Sequence, residues 1–449
     1  MDKSHRVNGT KDIVKNKGER IMKKRALMLL LAFVFMFATA CGNQSESTNE
    51  SKDKGSSEKV KLNMWVFGST GYEKLAEEYM KDHPNVDIKI QSTQFDDHHN
   101  ALFTALSAGS GAPDIAMIEV NNIERYREAQ DRFYNLYDFG AKDIKDKYLD
   151  WKWRIGESAD GSFLFGLPTD IGPTAMFYRA DVFEAAGLPT DPAEVAQLIP
   201  DWNAYAEVAA TIKEKTGKPI ADNVELVYNA LRDQAPVQYF NEKEELLIEK
   251  EPYIKQAYDY TVSLIQKGYL GSNGLWTPEW GNAMEKGSYA TLLAPAWMQG
   301  VVKGNAPNSA GKWLITNMPG GAGNWGGSYL TIPKESKHPK EAYDFIQWLV
   351  APEQQLKSFK DMGLFPSTPS VYDAPEFKEY KDEYFGGVNT AQVFAEAAQK
   401  VKTVYMGKNY TLVQGEIIKA LTNVQKKKAD PEKEWEEAIK RIKRQLERQ

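Results

Sequence analysis

The chain has 449 residues, with 56 Lys/Arg against 62 Asp/Glu, a net charge of −6, 12% aromatics and one cysteine. The acidic balance argues against nucleic acid and other polyanions as partners. A lone cysteine rules out an internal disulfide framework, and the length exceeds one ordinary core, so two domains are expected.

Residues 1–21 are polar and read as an upstream extension ahead of a true start at Met22. Lys23-Lys24-Arg25, the apolar run Ala26 to Ala40 and Cys41-Gly42 then have the layout of a secretory signal, residues 22–40. The run falls short of the ~18 apolar residues a spanning helix needs. Ala38-Thr39-Ala40-Cys41 resembles a bacterial lipobox, with Ala38 where that pattern prefers Leu, and makes Cys41 the expected lipidation site. Residues 41–58 hold no aromatic or branched aliphatic residue and are expected to be a disordered tether. Residues 1–40 carry nine of the basic and three of the acidic residues. The processed chain therefore keeps 47 against 59, a net charge of −12.

Lys61 to Phe67 reads as a strand, and Gly68 to Gly71 as a turn into a helix opened by a capping box of Thr70 with Glu73. Leu75, Ala76, Tyr79 and Met80 give that helix its stripe. Val86, Ile88 and Ile90 alternate as a second strand, Ala101 to Ala108 is helical, and Pro113 to Val120 is a nearly all-apolar third strand. This βαβαβ order predicts a parallel sheet covered on both faces. Its crevice should lie beyond the carboxyl ends of the strands, at Phe67 to Thr70 and Glu119 to Asn122. A second α/β region is expected from about Pro173, with helices over 203–215 and 253–266 and strands over 288–294 and 312–317. A Gly-rich segment, 319–328, leads into a strand at 329–333, and residues 376–449 form a helical tail with Trp435, Ile439, Ile442 and Leu446 as its last stripe.

Several stretches together resemble family 1 extracellular solute-binding proteins, the sugar receptors of ABC importers. They are Gly111-Ala112-Pro113-Asp114-Ile115, Phe165-Gly166-Leu167-Pro168, Ala175-Met176-Phe177-Tyr178-Arg179, Phe183 to Leu188, and Trp325-Gly326-Gly327-Ser328 through Ile332-Pro333-Lys334. The helix Pro339 to Leu349 with Glu353-Gln354 continues the pattern. The resemblance implies an α/β, two-lobed fold of the periplasmic-binding-protein type II class. Its hinge would consist of crossover segments near 168–172, 328–331 and 363–367. Residues 59–170 plus 329–366 would form lobe 1, and 171–328 plus 367–449 lobe 2. Asp201-Trp202-Asn203 departs from the family's usual Trp-Asp-Glu helix opening and follows an extra stretch, 191–200.

A sugar offers hydroxyls, which need charged or polar partners, and apolar C–H faces, which suit flat rings. Glu119 at a strand end and Asp170 in the first crossover match positions where the family often places hydroxyl-binding carboxylates. Ser69, Thr70, Asn121 and Asn122 are candidates beside them at the crevice edge. Trp297 matches a position where the family stacks a sugar ring. Trp325 sits in the Gly-rich return, Trp276 and Trp280 flank Pro278 in an expected cleft loop, and Trp65 lies in the first strand.

Gly321, Gly323 and Gly326 spell G-x-G-x-x-G but open no helix, so the dinucleotide context is missing. Asp97-His98-His99 lacks partner acids at ligand spacing. No nucleophile elbow, zinc-protease motif or phosphate loop occurs. The expectation is a lipid-anchored receptor of the Gram-positive type on the outer face of the cell membrane, with no catalytic residue, cofactor or metal. It would be monomeric, and would capture a neutral oligosaccharide, arabino- or xylo-oligosaccharide favoured, and hand it to ABC permease subunits. A cell-surface glycoside hydrolase is the alternative, since carboxylates and aromatics also describe such clefts. Trp297→Ala is expected to weaken binding and leave stability nearly unchanged.

Overall fold

The computed structural model describes residues 59–448 except 128, 159 and 403. Cys41, the signal, the tether and the upstream extension therefore lie outside the described residues. Among the described residues ten strands follow in chain order: β1 (Val60–Phe67), β2 (Val86–Thr93), β3 (Ile115–Glu119), β4 (Gly166–Pro168), β5 (Asp170–Ile171), β6 (Thr174–Arg179), β7 (Thr291–Pro295), β8 (Trp313–Thr316), β9 (Ser328–Thr331) and β10 (Phe365–Pro366).

Strand β1 buries Leu62, Met64 and Val66 and turns Lys61 and Asn63 outward, the alternation of a strand with one face on a core. It pairs in parallel with β2 and with β3. β3 is buried along its whole length, as a central parallel strand must be when both sheet faces are covered. Its odd residues, Ile115 and Met117, join the core under the helix Tyr72–Asp82. Ala116 and Ile118 join a second core with Leu102 and Leu106 of the helix Phe95–Ala108. β9 then inserts antiparallel beside β3, and β4 beside β9, giving the order β2-β1-β3-β9-β4.

Three antiparallel strands, β7-β6-β8, form another sheet with its own cores. A further apolar cluster gathers the helices Val224–Asp233, Tyr253–Gln266, Tyr410–Lys427 and Pro431–Leu446. The chain passes between the two sheets where β4 gives way to β5 and where β9 begins, and β5 pairs antiparallel with β10. The fold is two-lobed, and these short segments run side by side between the lobes.

Two local expectations need correction. Gly71, in a left-handed conformation, takes the N-cap position of the first helix, and no side chain caps it. Thr70 stands one residue earlier and its hydroxyl accepts from the Tyr72 N–H at 3.3 Å, so the Thr70–Glu73 capping box does not form. Pro278 opens the helix Pro278–Lys286, with the Thr277 hydroxyl accepting from the Trp280 N–H, so Trp280 is helical and not part of a loop.

Candidate functional site

Glu119 ends β3 with its side chain buried at 5% exposure. The turn Val120–Asn122 begins at once, and Glu119 Oε2 accepts from the Asn121 N–H at 2.8 Å and from Asn122 Nδ2 at 3.5 Å. From behind, the Glu119 N–H donates to His99 Nε2 at 3.3 Å, while His99 Nδ1 is 2.9 Å from the Phe95 carbonyl. Burial holds the His99 pKa down at about 3, which keeps its ring neutral and able to accept. Desolvation pushes the Glu119 pKa up to about 8, although the Asn121 N–H and the Lys152 charge oppose it.

Asp170 opens β5 between the lobes, and its Oδ1 accepts from the Thr169 hydroxyl at 2.7 Å and the Ser328 N–H at 3.2 Å. Burial raises its pKa, and the Lys152 charge is the main opposing influence. Lys152 completes the cluster and was not anticipated. It is fully buried in the helix Asp150–Ile155, its ammonium 4.0 Å from the centre of the Tyr329 ring. Its Nζ has no hydrogen-bond partner among the described residues. Burial lowers its pKa to about 8 against the attraction of Asp170 and Glu119. Its only signal in the sequence is a place between Trp151 and Trp153 in a short helix.

Gly326 and Gly327, both at positive φ, let these groups converge. A Cβ at Gly326 would sit 3.1 Å from Trp297 Nε1 and 4.0 Å from Glu119 Oε1. One at Gly327 would sit 2.5 Å from the Asp170 carbonyl oxygen and 3.0 Å from Lys152 Nζ. The Gly-Gly pair therefore brings a backbone surface without side chains up to the Glu119 carboxylate, the Asp170 main chain, the Lys152 ammonium and the Trp297 indole.

The Trp297 N–H donates to the Trp325 carbonyl at 2.9 Å, and the two rings meet edge to face at 5.4 Å. Trp276 lies nearly parallel to Trp297, with centroids 6.1 Å apart and an interplanar angle of 24°. Trp276, Trp297 and Trp325 thus form a continuous aromatic wall that begins beside Glu119. Trp276 is 56% exposed and sits at a φ of 66°. Trp280 does not join this wall: it is buried in the core beside the three-stranded sheet and backs Trp276 edge to face at 5.2 Å. Trp65 is half-buried in mid-strand with its partners Gln91 and Ala116. Ser69 is exposed, and the Thr70 hydroxyl is committed to the Tyr72 N–H. Asn122 orients Glu119, whereas the Asn121 side-chain oxygen is buried and has no partner among the described residues.

Trp297 also packs against the cores of both lobes. The expectation that its removal would leave stability untouched is therefore revised.

Residues 74–386 match the family of bacterial extracellular solute-binding proteins. The chain belongs to that family. It is 35% identical to a crystal structure described as an extracellular solute-binding protein family 1 member, which covers 86% of this chain and 99% of that one at a TM-score of 0.78. It is 25% identical over 411 residues to the arabinooligosaccharide-binding protein of Bacillus subtilis strain 168, across 87% of this chain and 92% of that protein. It is 27% identical to the lactose-binding protein of Rhizobium radiobacter, across 77% and 82%. Among the described residues no helix is long and apolar enough to cross a membrane.

Proposed function

We propose that this solute-binding protein captures a neutral oligosaccharide between its lobes and presents it to the permease of an ABC importer. The observation that carries this reading is the convergence of Glu119, Asp170 and Lys152 with the Trp276–Trp297–Trp325 wall at the lobe crossing. Buried charged groups contribute about 1.5–3 kcal/mol per hydrogen bond to a hydroxyl, and the indoles offer faces to the C–H side of a sugar ring. Near neutral pH the protonated Glu119 can donate as well as accept, Asp170 accepts and the Lys152 ammonium donates, a mixed set that suits uncharged polyols better than sulfated or uronic sugars.

The lobes take the boundaries 59–170 plus 329–366 and 171–328 plus 367–449. A space at the lobe crossing, lined by Val120, Trp151, Asp233 and Asn324, holds about 20 Å³, far below the ~300–1,000 Å³ of ligand pockets. A sugar therefore enters when the lobes move apart about the β5, β9 and β10 segments and is enclosed when they return. Arabino- or xylo-oligosaccharides are the favoured ligands. The protein works as a monomer without catalysis, held to the outer membrane face by lipid on Cys41, which keeps it close to its permease.

Calorimetry of the purified protein against arabino-, xylo- and galacto-oligosaccharides tests the reading. Saturable binding of one series without cleavage supports it. Binding of none, or release of shorter sugars from a labelled oligosaccharide, overturns it in favour of another ligand class or of a hydrolase.

A further inference from the structure

A second group of unpartnered polar atoms lies next to this site. Arg232 is buried at the end of the helix Val224–Asp233, its guanidinium facing the rings of Tyr410 and Tyr228 at 5.3 and 5.9 Å. Its Nη1 donates to Asn229 Oδ1 at 2.8 Å. Its Nε and Nη2 both donate to one oxygen of the neighbouring carboxylate, Asp233 Oδ1, at 2.9 and 2.7 Å. A purely structural arginine–carboxylate pair gains most when the fork meets both oxygens. Here Asp233 Oδ2 is left over: the residue is 4% exposed, and Oδ2 has no hydrogen-bond partner among the described residues. Gln238, 2% exposed, lies close enough to favour the ionised carboxylate, and its own Oε1 is also without a partner among the described residues.

Both residues line the space between the lobes, facing Val120, Trp151 and Ile155 of the other lobe. Val120 directly follows Glu119, and Trp151 directly precedes Lys152. The wall that separates the two polar groups is Asn324, whose amide accepts from the Gly172 N–H and donates to the Gly326 carbonyl. The second group is therefore contiguous with the first along three segments of chain.

We propose that Asp233 and Gln238 form a second sugar subsite, facing Trp151, so that the ligand spans at least two rings. This rests on the carbohydrate reading above and deepens it. The chemistry selects the occupant. Two free acceptor oxygens in a buried setting call for donors, which excludes carboxylate and phosphate groups. Arg232 and Lys402, whose ammonium holds the Gln234 carbonyl at 3.0 Å beside the pocket, disfavour a cation. Neighbouring sugar hydroxyls supply two donors without charge, and the half-buried Trp151 lines the same space. Arg232 is a positioning residue: it fixes which carboxylate oxygen turns to the ligand.

The test is calorimetry of the wild type, Asp233→Asn and Gln238→Ala with sugars of one, two and three rings from the arabinose, xylose and galactose series. The expected result is that the wild type binds two rings at least tenfold more tightly than one. Asp233→Asn then loses ten- to a hundredfold for the longer sugars and Gln238→Ala about tenfold, with monosaccharide affinity unchanged in both. Gln238→Ala leaves the Arg232–Asp233 pair in place, so it keeps the test decisive should Asp233→Asn unfold. Wild-type affinity for longer sugars with no change in either variant overturns the second subsite alone. Equal affinity for one ring and for two does the same. Failure of the wild type to bind any sugar of the panel overturns the carbohydrate reading and the subsite with it.

Discussion

The two walls of the cleft are built by opposite strategies. Glu119 and Asp170 stand at the ends of strands and Lys152 on the buried side of a short helix, and main-chain N–H groups, the Thr169 hydroxyl and His99 fix the carboxylates. The aromatic wall lies in loops and at a helix start: Trp325 in the Gly-rich return, Trp297 just before the helix Met298–Asn305, and Trp276 in an exposed turn. The polar wall is preorganised and carries the cost of desolvated charge before any ligand arrives. The aromatic wall is graded: Trp297 is held by its bond to the Trp325 carbonyl and by both cores, whereas Trp276 is exposed. Under the proposed function the rigid wall would read hydroxyl stereochemistry, and the exposed end of the aromatic wall would read ring number.

The rigid wall is the easier to break. Gly327→Ala places a methyl group 2.5 Å from the Asp170 carbonyl oxygen at a φ of 93°. Strain and clash together should cost ~3 kcal/mol or more of stability, read as a lowered midpoint in urea. A stable Gly327→Ala protein with full affinity would show that the convergence on this glycine is not needed. Trp297→Ala comes next. Its ring touches both cores and is half-buried, so stability should fall by ~1–3 kcal/mol. Sugar affinity should fall roughly thirty-fold or more, as for a buried aromatic anchor worth ~2 kcal/mol. A stability loss with unchanged affinity would place Trp297 in the frame and not in the site.

The charged wall also predicts a pH signature. The Glu119 pKa is raised in the fold to about 8, so the native state holds a proton that the unfolded chain has released between about pH 4.5 and 8. Its favourable contribution is complete below pH 4.5 and is lost as pH rises to 8. Lys152 is lowered from 10.5 to about 8, so its contribution is complete above pH 10.5 and is lost as pH falls to 8. The two trends meet, and the stability due to this pair is lowest near pH 8. Glu119→Gln should remove this residue's share of the decline between pH 4.5 and 8, to which Asp170 and other buried acids also contribute, so the variant gains on the wild type as pH rises. Denaturation curves at pH 5, 6.5 and 8 that keep a constant difference would show that Glu119 is not desolvated as the geometry implies.

The regular frame was legible in the sequence because periodicity survives burial. The βαβαβ start, the helices near 203–215, 253–266 and 339–349, and Glu119 as the end of an apolar strand all follow from alternation, stripes and stop signals. What stayed hidden depends on contacts distant in the chain. Lys152 reads as a solvated lysine until Tyr329, 177 residues on, covers it. Asp233 is hidden differently: its partner Arg232 is the neighbouring residue, and it is the burial of the pair by the fold that the sequence does not display. Trp280 is different, since Thr277-Pro278 is a helix-start signature and could have placed it in a helix.

The smallest effect bears most directly on the exposed end of the aromatic wall. Trp276 holds a left-handed backbone that costs a bulky residue roughly 1–3 kcal/mol, and it exposes more than half of its surface. Neither feature helps folding, so something else must favour an indole there, and its near-parallel contact with Trp297 points to stacking at the cleft mouth. Trp276→Gly should relieve the strain and raise stability by up to ~1 kcal/mol. Affinity for a three-ring sugar should drop a few-fold, in keeping with ~0.5–1.5 kcal/mol per aromatic contact, and affinity for a single ring should not change. A variant that gains stability and keeps its affinity for every chain length would mean that the strained indole serves neither folding nor sugar, and would confine recognition to the rigid wall and Trp297.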